Sequence, residues 1–191
     1  MNWQKAFIDT FYKVINEENI TFSKFNQNRV ADHRYKHGVR DLAEVHLQYL
    51  LFKGLLNNSY FDRWCVVIWD SYGGRKNTKS RKLHADLWLA KTKYGKVDDS
   101  SWIAIEMKKW HPTKAKEDYE RLQKMSDTRG LLVYKFGRQS VRLRTKIEES
   151  PEFKRLWKKF KKNETGDREV DVVNRDGSHK RYHFEAVLLT W

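Results

Sequence analysis

Asp86, Glu106 and Lys108 are the residues of this sequence whose types and spacing could do chemistry. Asp86 stands in the run from Leu83 to Ala90, and Glu106 and Lys108 in the run from Trp102 to Lys108. Side chains of a strand alternate between faces. As strands, the first run sets Asp86 beside His84 and Trp88, with Leu83, Ala85, Leu87 and Leu89 on the opposite, core face; the second sets Glu106 and Lys108 beside Trp102 and Ala104. A hairpin centred on Lys96 pairs residues whose numbers sum to 192, which brings Asp86 opposite Glu106 with Cβ atoms about 5 Å apart. Two like charges so placed repel unless something compensates them, and a divalent cation is the usual compensator. Oxygen ligands suit Mg²⁺, with Mn²⁺ as a substitute. Lys108 adds a positive charge able to hold a water or to stabilise charge developing on a phosphate. Glu44, with Arg40 and Gln48 four residues to either side, is available to complete the set if its helix faces the sheet.

The elements that would position these residues follow from periodicity. Phe7, Ile8, Phe11, Tyr12 and Ile15 recur at helical spacing over residues 3 to 18, as do Leu42, Val45, Tyr49 and Phe52 over 39 to 53. Residues 64–69, 83–90 and 102–108 are short and rich in strand formers. Pro112 and Thr113 introduce a polar helix to about Met125, and a fourth strand runs from Leu131 to Phe136. The order is α, β, β, β, α, β. Beyond Pro151, Phe153, Leu156, Trp157 and Phe160 mark one face of a basic helix. Two last strands, 169–173 and 182–189, flank the turn signal Asn174-Arg175-Asp176-Gly177. With two prolines and no repeat or linker, the 191 residues read as one domain.

Charge narrows the partners. Thirty-nine Lys and Arg against 25 Asp and Glu give a net +14. Arg75, Lys76, Lys79, Arg81 and Lys82 crowd one Gly- and Ser-containing loop, and further clusters follow at Arg138 to Lys146 and Lys154 to Lys162. Dispersed cations fit phosphate neutralisation, while the aromatic basic helix also has the pattern of a membrane-surface helix. No apolar run approaches the roughly 18 residues of a membrane span, and the N-terminal residues lack a signal-peptide pattern, so the expectation is a cytoplasmic protein. The single Cys65 excludes a disulfide scaffold and reads as a small buried hydrophobe. His33 with His37, and His179 with His183, have i, i + 4 spacing without a third convergent ligand, which favours ordinary surface or core histidines. Trp69, Trp88, Trp102 and Trp110 read as core more readily than as base-stacking platforms.

Over about residues 38–136 the chain resembles the PD-(D/E)XK nuclease superfamily. Glu44 matches its helix acid, Asp86 its strand Asp, and Glu106-Met107-Lys108 its Glu-x-Lys, with Ala85 where the motif's name has proline. The resemblance implies a restriction-endonuclease-like α/β core (αβββαβ), a central mixed sheet flanked by helices, with residues 137–191 as a basic C-terminal extension. It implies a Mg²⁺-dependent endonuclease that hydrolyses phosphodiester bonds in double-stranded DNA and leaves a 5′ phosphate. Asp86, Glu106, the Met107 carbonyl and Glu44 would be its metal ligands, and Lys108 would position or help deprotonate the attacking water. The following helix lends a polar residue in several branches, with Lys116, Glu117, Tyr119 and Gln123 as candidates here. The basic loop from Arg75 to Lys82 would contact nucleic acid, and one site per chain makes a homodimer the expected form for cutting two strands. The alternatives are a catalytically silent nucleic-acid-binding module of the same fold, and a basic factor that binds an acidic protein surface.

Overall fold

The computed structural model describes residues 2–27, 38–69, 85–125, 128–137, 142–174 and 176–191. The fold is mixed α/β. Helix α1 (Trp3–Gln27) is followed by a short 3-10 turn (Gly38–Asp41), α2 (Glu44–Leu56) and α3 (Ser59–Trp64), then β1 (Cys65–Trp69), β2 (Leu87–Lys93), β3 (Lys96–Val97) and β4 (Ile103–Lys109). Helix α4 (Pro112–Leu122) leads to β5 (Thr128–Gly137), α5 (Leu143–Glu149), β6 (Lys161–Glu164), β7 (Arg168–Val173) and β8 (His179–Thr190). The strands form one open mixed sheet in the order β1-β2-β4-β5-β8-β6, with β3 beside β2 and β7 beside β8. Only β4 and β5 run parallel, joined by α4; the other described pairings are antiparallel.

The pairing of β2 with β4 has the expected register: Leu87, Trp88 and Leu89 lie opposite Ile105, Ala104 and Ile103. The route between them differs. Tyr94 and Gly95, both at positive φ, make a tight turn that pairs β2 first with β3. A 3-10 turn at Asp99–Ser101 then takes up the residues by which the two registers differ. Asp86 stands one residue before β2, not inside a strand from 83 to 90.

Both faces of the sheet are buried, so the face that carries Glu106 is covered as well as the all-apolar face read from the sequence. On one side Phe7, Phe11, Leu47, Leu51 and Phe61 from α1, α2 and α3 cover Leu87, Leu89, Ile105 and Met107. On the other Ala115 and Leu122 of α4, Leu143 and Ile147 of α5, and Phe153, Trp157 and Phe160 cover Trp88, Ala104, Leu131 and Val133. Glu106 and Lys108 belong to the second face and are therefore enclosed by helices. Trp88 and Trp102 meet edge to face inside this core, at 6.3 Å. Two further expectations are corrected. Helix α2 begins at Glu44, which leaves Arg40 in the preceding turn over the Tyr182 ring. The stretch after Pro151 is not a helix: it makes turns and a 3-10 segment (Trp157–Lys159) before β6, because β8 offers an edge from Val187 to Thr190 that residues 161–164 fill. Among the described residues no helix is long and apolar enough to cross a membrane.

Helix α2 is set against α1 by Gly54. A Cβ there would lie 2.4 Å from Val14 Cγ1 and 3.0 Å from Thr10 Cγ2. Glycine normally weakens a helix interior by about 1 kcal/mol relative to alanine. Here Gly54→Ala is expected to destabilise by about 1–3 kcal/mol, since the overpacked helices must separate. A urea unfolding midpoint at or above that of the parent would show that the contact yields freely.

Candidate active site

The site residues gather where β4 ends and β2 begins, at the carboxyl ends of the parallel pair, the usual location of α/β sites. Glu44 is the first residue of α2, where the helix dipole favours an acid. Its Oε1 accepts from Lys108 Nζ at 2.6 Å and its Oε2 from the Lys109 backbone N–H at 3.1 Å. The Lys108 ammonium also lies 3.6 Å from Asp118 Oδ2 on α4, so it ties together the layers on both sides of the sheet. Arg121, one turn after Asp118, sets Nη2 at 2.8 Å from both Asp118 Oδ1 and Glu106 Oε2. Glu106 lies beside Asp86, close enough for each carboxyl to act on the other, and Asp86 Oδ2 accepts from the Met107 backbone N–H at 2.7 Å.

These contacts form a chain of alternating sign: Glu44, Lys108, Asp118, Arg121, Glu106. Its last step, Glu106 to Asp86, joins two acids. Glu106 is 2% exposed, and its Oε1 has no hydrogen-bond donor among the described residues. Burial, then the neighbouring Asp86 charge, push its carboxyl up to about 9 against the opposing pull of Arg121. Burial likewise raises Asp86. Burial pulls the Lys108 ammonium down, but the hydrogen bond and charge of Glu44, with Asp118 and Asp86, more than reverse this. Lys108 is thus firmly a cation. Burial, with the charges of Glu44 and Asp86, holds the nearby Tyr134 hydroxyl neutral, well above its ordinary range.

The fit to a divalent cation can be judged from these atoms. The oxygen donors are of the kind a hard cation takes, and Glu106 Oε1 is a buried acceptor that lacks a partner beside a second acid. Asp86 and Glu106 therefore suit such an ion. Glu44 is differently placed, with both oxygens held by Lys108 and Lys109. Among the described residues no three His, Cys, Asp or Glu side chains are grouped as a metal would need.

Asp86, Glu106, Lys108 and Glu44 are thus brought together, as expected. Of the α4 candidates none reaches the cluster: Lys116 pairs with Glu120, Glu117 is exposed, Tyr119 packs on Phe153, Phe160 and Trp191, and Gln123 accepts from Arg129. Asp118 and Arg121 take that place. The signal for Asp118 lay in spacing, since Ala115, Asp118 and Leu122 share the buried stripe of α4. Arg75, Lys76, Lys79, Arg81 and Lys82, with His33, His37, His84 and Arg138 and the Trp69 side chain, lie outside the described residues. His179 and His183 face Asp171 and Asp167 at 2.9 and 2.8 Å, each on its own carboxylate across the β7–β8 pair. The Cys65 thiol is half-buried, and burial raises its pKa. No protein-family model, curated protein or solved structure matches the chain.

The raised Glu106 has a consequence for stability. The folded chain keeps a proton there that the unfolded chain releases above about pH 4.5, its ordinary value. This contribution is complete below about pH 4.5 and is lost as pH rises through about 9. In the presence of a chelator, Glu106→Gln is expected to melt above the parent at pH 8, by on the order of 1–3 kcal/mol of stability. The gap should close towards pH 4.5; a gap independent of pH would mean that Glu106 is ionised throughout.

Proposed function

We propose that this chain is a metal-dependent nuclease with a restriction-endonuclease-like core, acting on phosphodiester bonds in DNA. The observation that carries the proposal is the convergence of Asp86, Glu106 and Lys108 at one end of the sheet, with an acid–acid contact and a donorless Glu106 oxygen at its centre. Four carboxylates, Glu44, Asp86, Glu106 and Asp118, meet two cations, Lys108 and Arg121, so full ionisation leaves about the charge deficit that one divalent ion supplies. Asp86 and Glu106 would hold Mg²⁺ or Mn²⁺, with the Met107 carbonyl as a further oxygen. The chemistry such an ion supplies is polarisation of a phosphoryl oxygen and acidification of water.

The other tasks belong to the chain itself. Arg121 occupies Glu106 Oε2 and leaves Oε1 available. Lys108, kept charged by Glu44, serves as a donor to water or to a phosphate oxygen rather than as a base. Glu44 orients Lys108. Asp118 braces both cations from α4, which makes it a positioning residue. The second reading is a non-cleaving nucleic-acid-binding module, favoured by the ion pairs that already engage Glu44 and Glu106.

The deciding assay is incubation with supercoiled and linear plasmid in Mg²⁺, Mn²⁺ or EDTA. Metal-dependent cleavage is expected, falling on the order of 10²-fold or more in Asp86→Asn, Glu106→Gln and Lys108→Ala. Parental rates in a folded Asp86→Asn or Glu106→Gln would remove the site, and binding without cleavage under every metal would favour the silent module.

Asp118→Asn separates bracing from fold. Its cleavage rate is expected to fall about 10- to 100-fold, with a higher Mg²⁺ concentration at half-maximal rate and unchanged DNA affinity. A rate loss with an unchanged Mg²⁺ dependence would exclude bracing.

A further inference from the structure

From residue 142 to 162 the chain carries nine Lys and Arg against three Glu. The apolar members of the segment turn inward: Phe153, Trp157 and Phe160 are 0, 6 and 4% exposed in the second core. Lys154, Arg155, Lys158, Lys159 and Lys161 are left exposed, and none of them forms an ion pair with a described carboxylate. Two other cations here are engaged: Arg144 binds Glu164 at 2.8 Å and lies over the Trp157 ring, while Lys162 donates to the Trp157 carbonyl at 3.0 Å. Among the described residues the segment thus holds five cations without an acidic partner, whose mutual repulsion an anionic partner relieves.

We infer that this surface binds the phosphodiester backbone of a nucleic acid, separately from the carboxylate cluster. A lipid surface is disfavoured because insertion requires an apolar face directed outward, and here that face fills the core. An acidic protein is disfavoured because protein interfaces are anchored by aromatic and apolar groups, and the segment's aromatics are buried. Phosphate recognition needs only the dispersed charge. The segment that carries the surface packs beside α4 over the same face of the sheet. Tyr119, next to Asp118, packs against Phe153 and Phe160 at 6.4 and 5.6 Å, and Trp110, which follows β4, packs against Phe153 at 6.2 Å. The segment thus shares packing contacts with the helix that supplies Asp118 and Arg121. The inference shares its substrate class with the nuclease reading but does not require cleavage.

The test uses the full chain in EDTA and fluorescence anisotropy with a labelled DNA duplex, an RNA duplex of the same sequence, and, in flotation, phosphatidylserine vesicles. One variant replaces Lys154, Arg155, Lys158 and Lys159 together by Gln; a control makes the same charge change at the exposed Lys24, Lys53, Lys93 and Lys96. Both are expected to melt like the parent. At about 100 mM salt the patch variant should bind duplex tenfold or more weakly, and the slope of log affinity against log salt should shrink by about 3, against less than about 1 for the control. The tighter of the two duplexes identifies the source of the phosphodiester. Equal losses in patch variant and control, parental binding by the patch variant, or loss of vesicle binding alone would overturn the inference. Because the metal is chelated throughout, a chain that binds but never cuts upholds this surface while refuting the nuclease.

Discussion

Two carboxyl groups, the buried Glu106 and the partly buried Asp86, meet at one end of the sheet, and much else in the structure serves to make that contact tolerable. An ionised acid loses its hydration on burial, and a second acid beside it adds repulsion. Glu106 cannot move to water, because its face of β4 is closed by α4 and the 150–160 segment. Only a shared proton, a neighbouring cation or a bound ion relieves it. Arg121 supplies part of this, on one oxygen. The remaining oxygen has no hydrogen-bond donor among the described residues.

The same sheet face contains a control for that reading. Lys135 and Glu185, opposite each other on β5 and β8, are nearly as buried, yet there one cation faces one acid at 3.0 Å and the Leu143 N–H caps the other carboxylate oxygen at 2.6 Å. Burial alone therefore does not produce the imbalance at Asp86. The difference lies in the pairing of strands: β5 and β8 bring opposite charges into register, whereas β2 and β4 bring like charges together one residue beyond their last paired positions. Lys108 carries the correction sideways, to Glu44 on one helical layer and Asp118 on the other.

That contact was legible in the sequence because it depends on period-two alternation and a short hairpin, both local properties. The register is independent of where the turn falls, since the 3-10 segment before β4 absorbs the extra residues without changing which residues face each other. Arg121 was not legible, because its role depends on how far α4 rotates over the sheet, and helical spacing alone gives no such angle. Asp118 was half legible: an acid inside a buried stripe is a signal, but it was outweighed by more conspicuous polar neighbours. The aromatics after Pro151 gave the opposite error. Their spacing is helical, yet what they satisfy is a cavity between α4 and β8, and the free edge of β8 draws the following residues into a strand. Tertiary pairing overrode a local pattern too short to resist it.

Charge is therefore arranged on two scales. The chain as a whole is strongly basic, and its exposed cations on the 150–162 segment have no acidic partner among the described residues, whereas the cluster at the sheet's end is locally acidic. A polyanion is attracted over the range of the Debye length by the first and repelled at contact by the second. The two cannot be satisfied by the polyanion alone. Under the proposed function a small cation between the two acids and an approaching phosphate would reconcile them, and the basic exterior and the acid–acid contact would then be halves of one electrostatic arrangement.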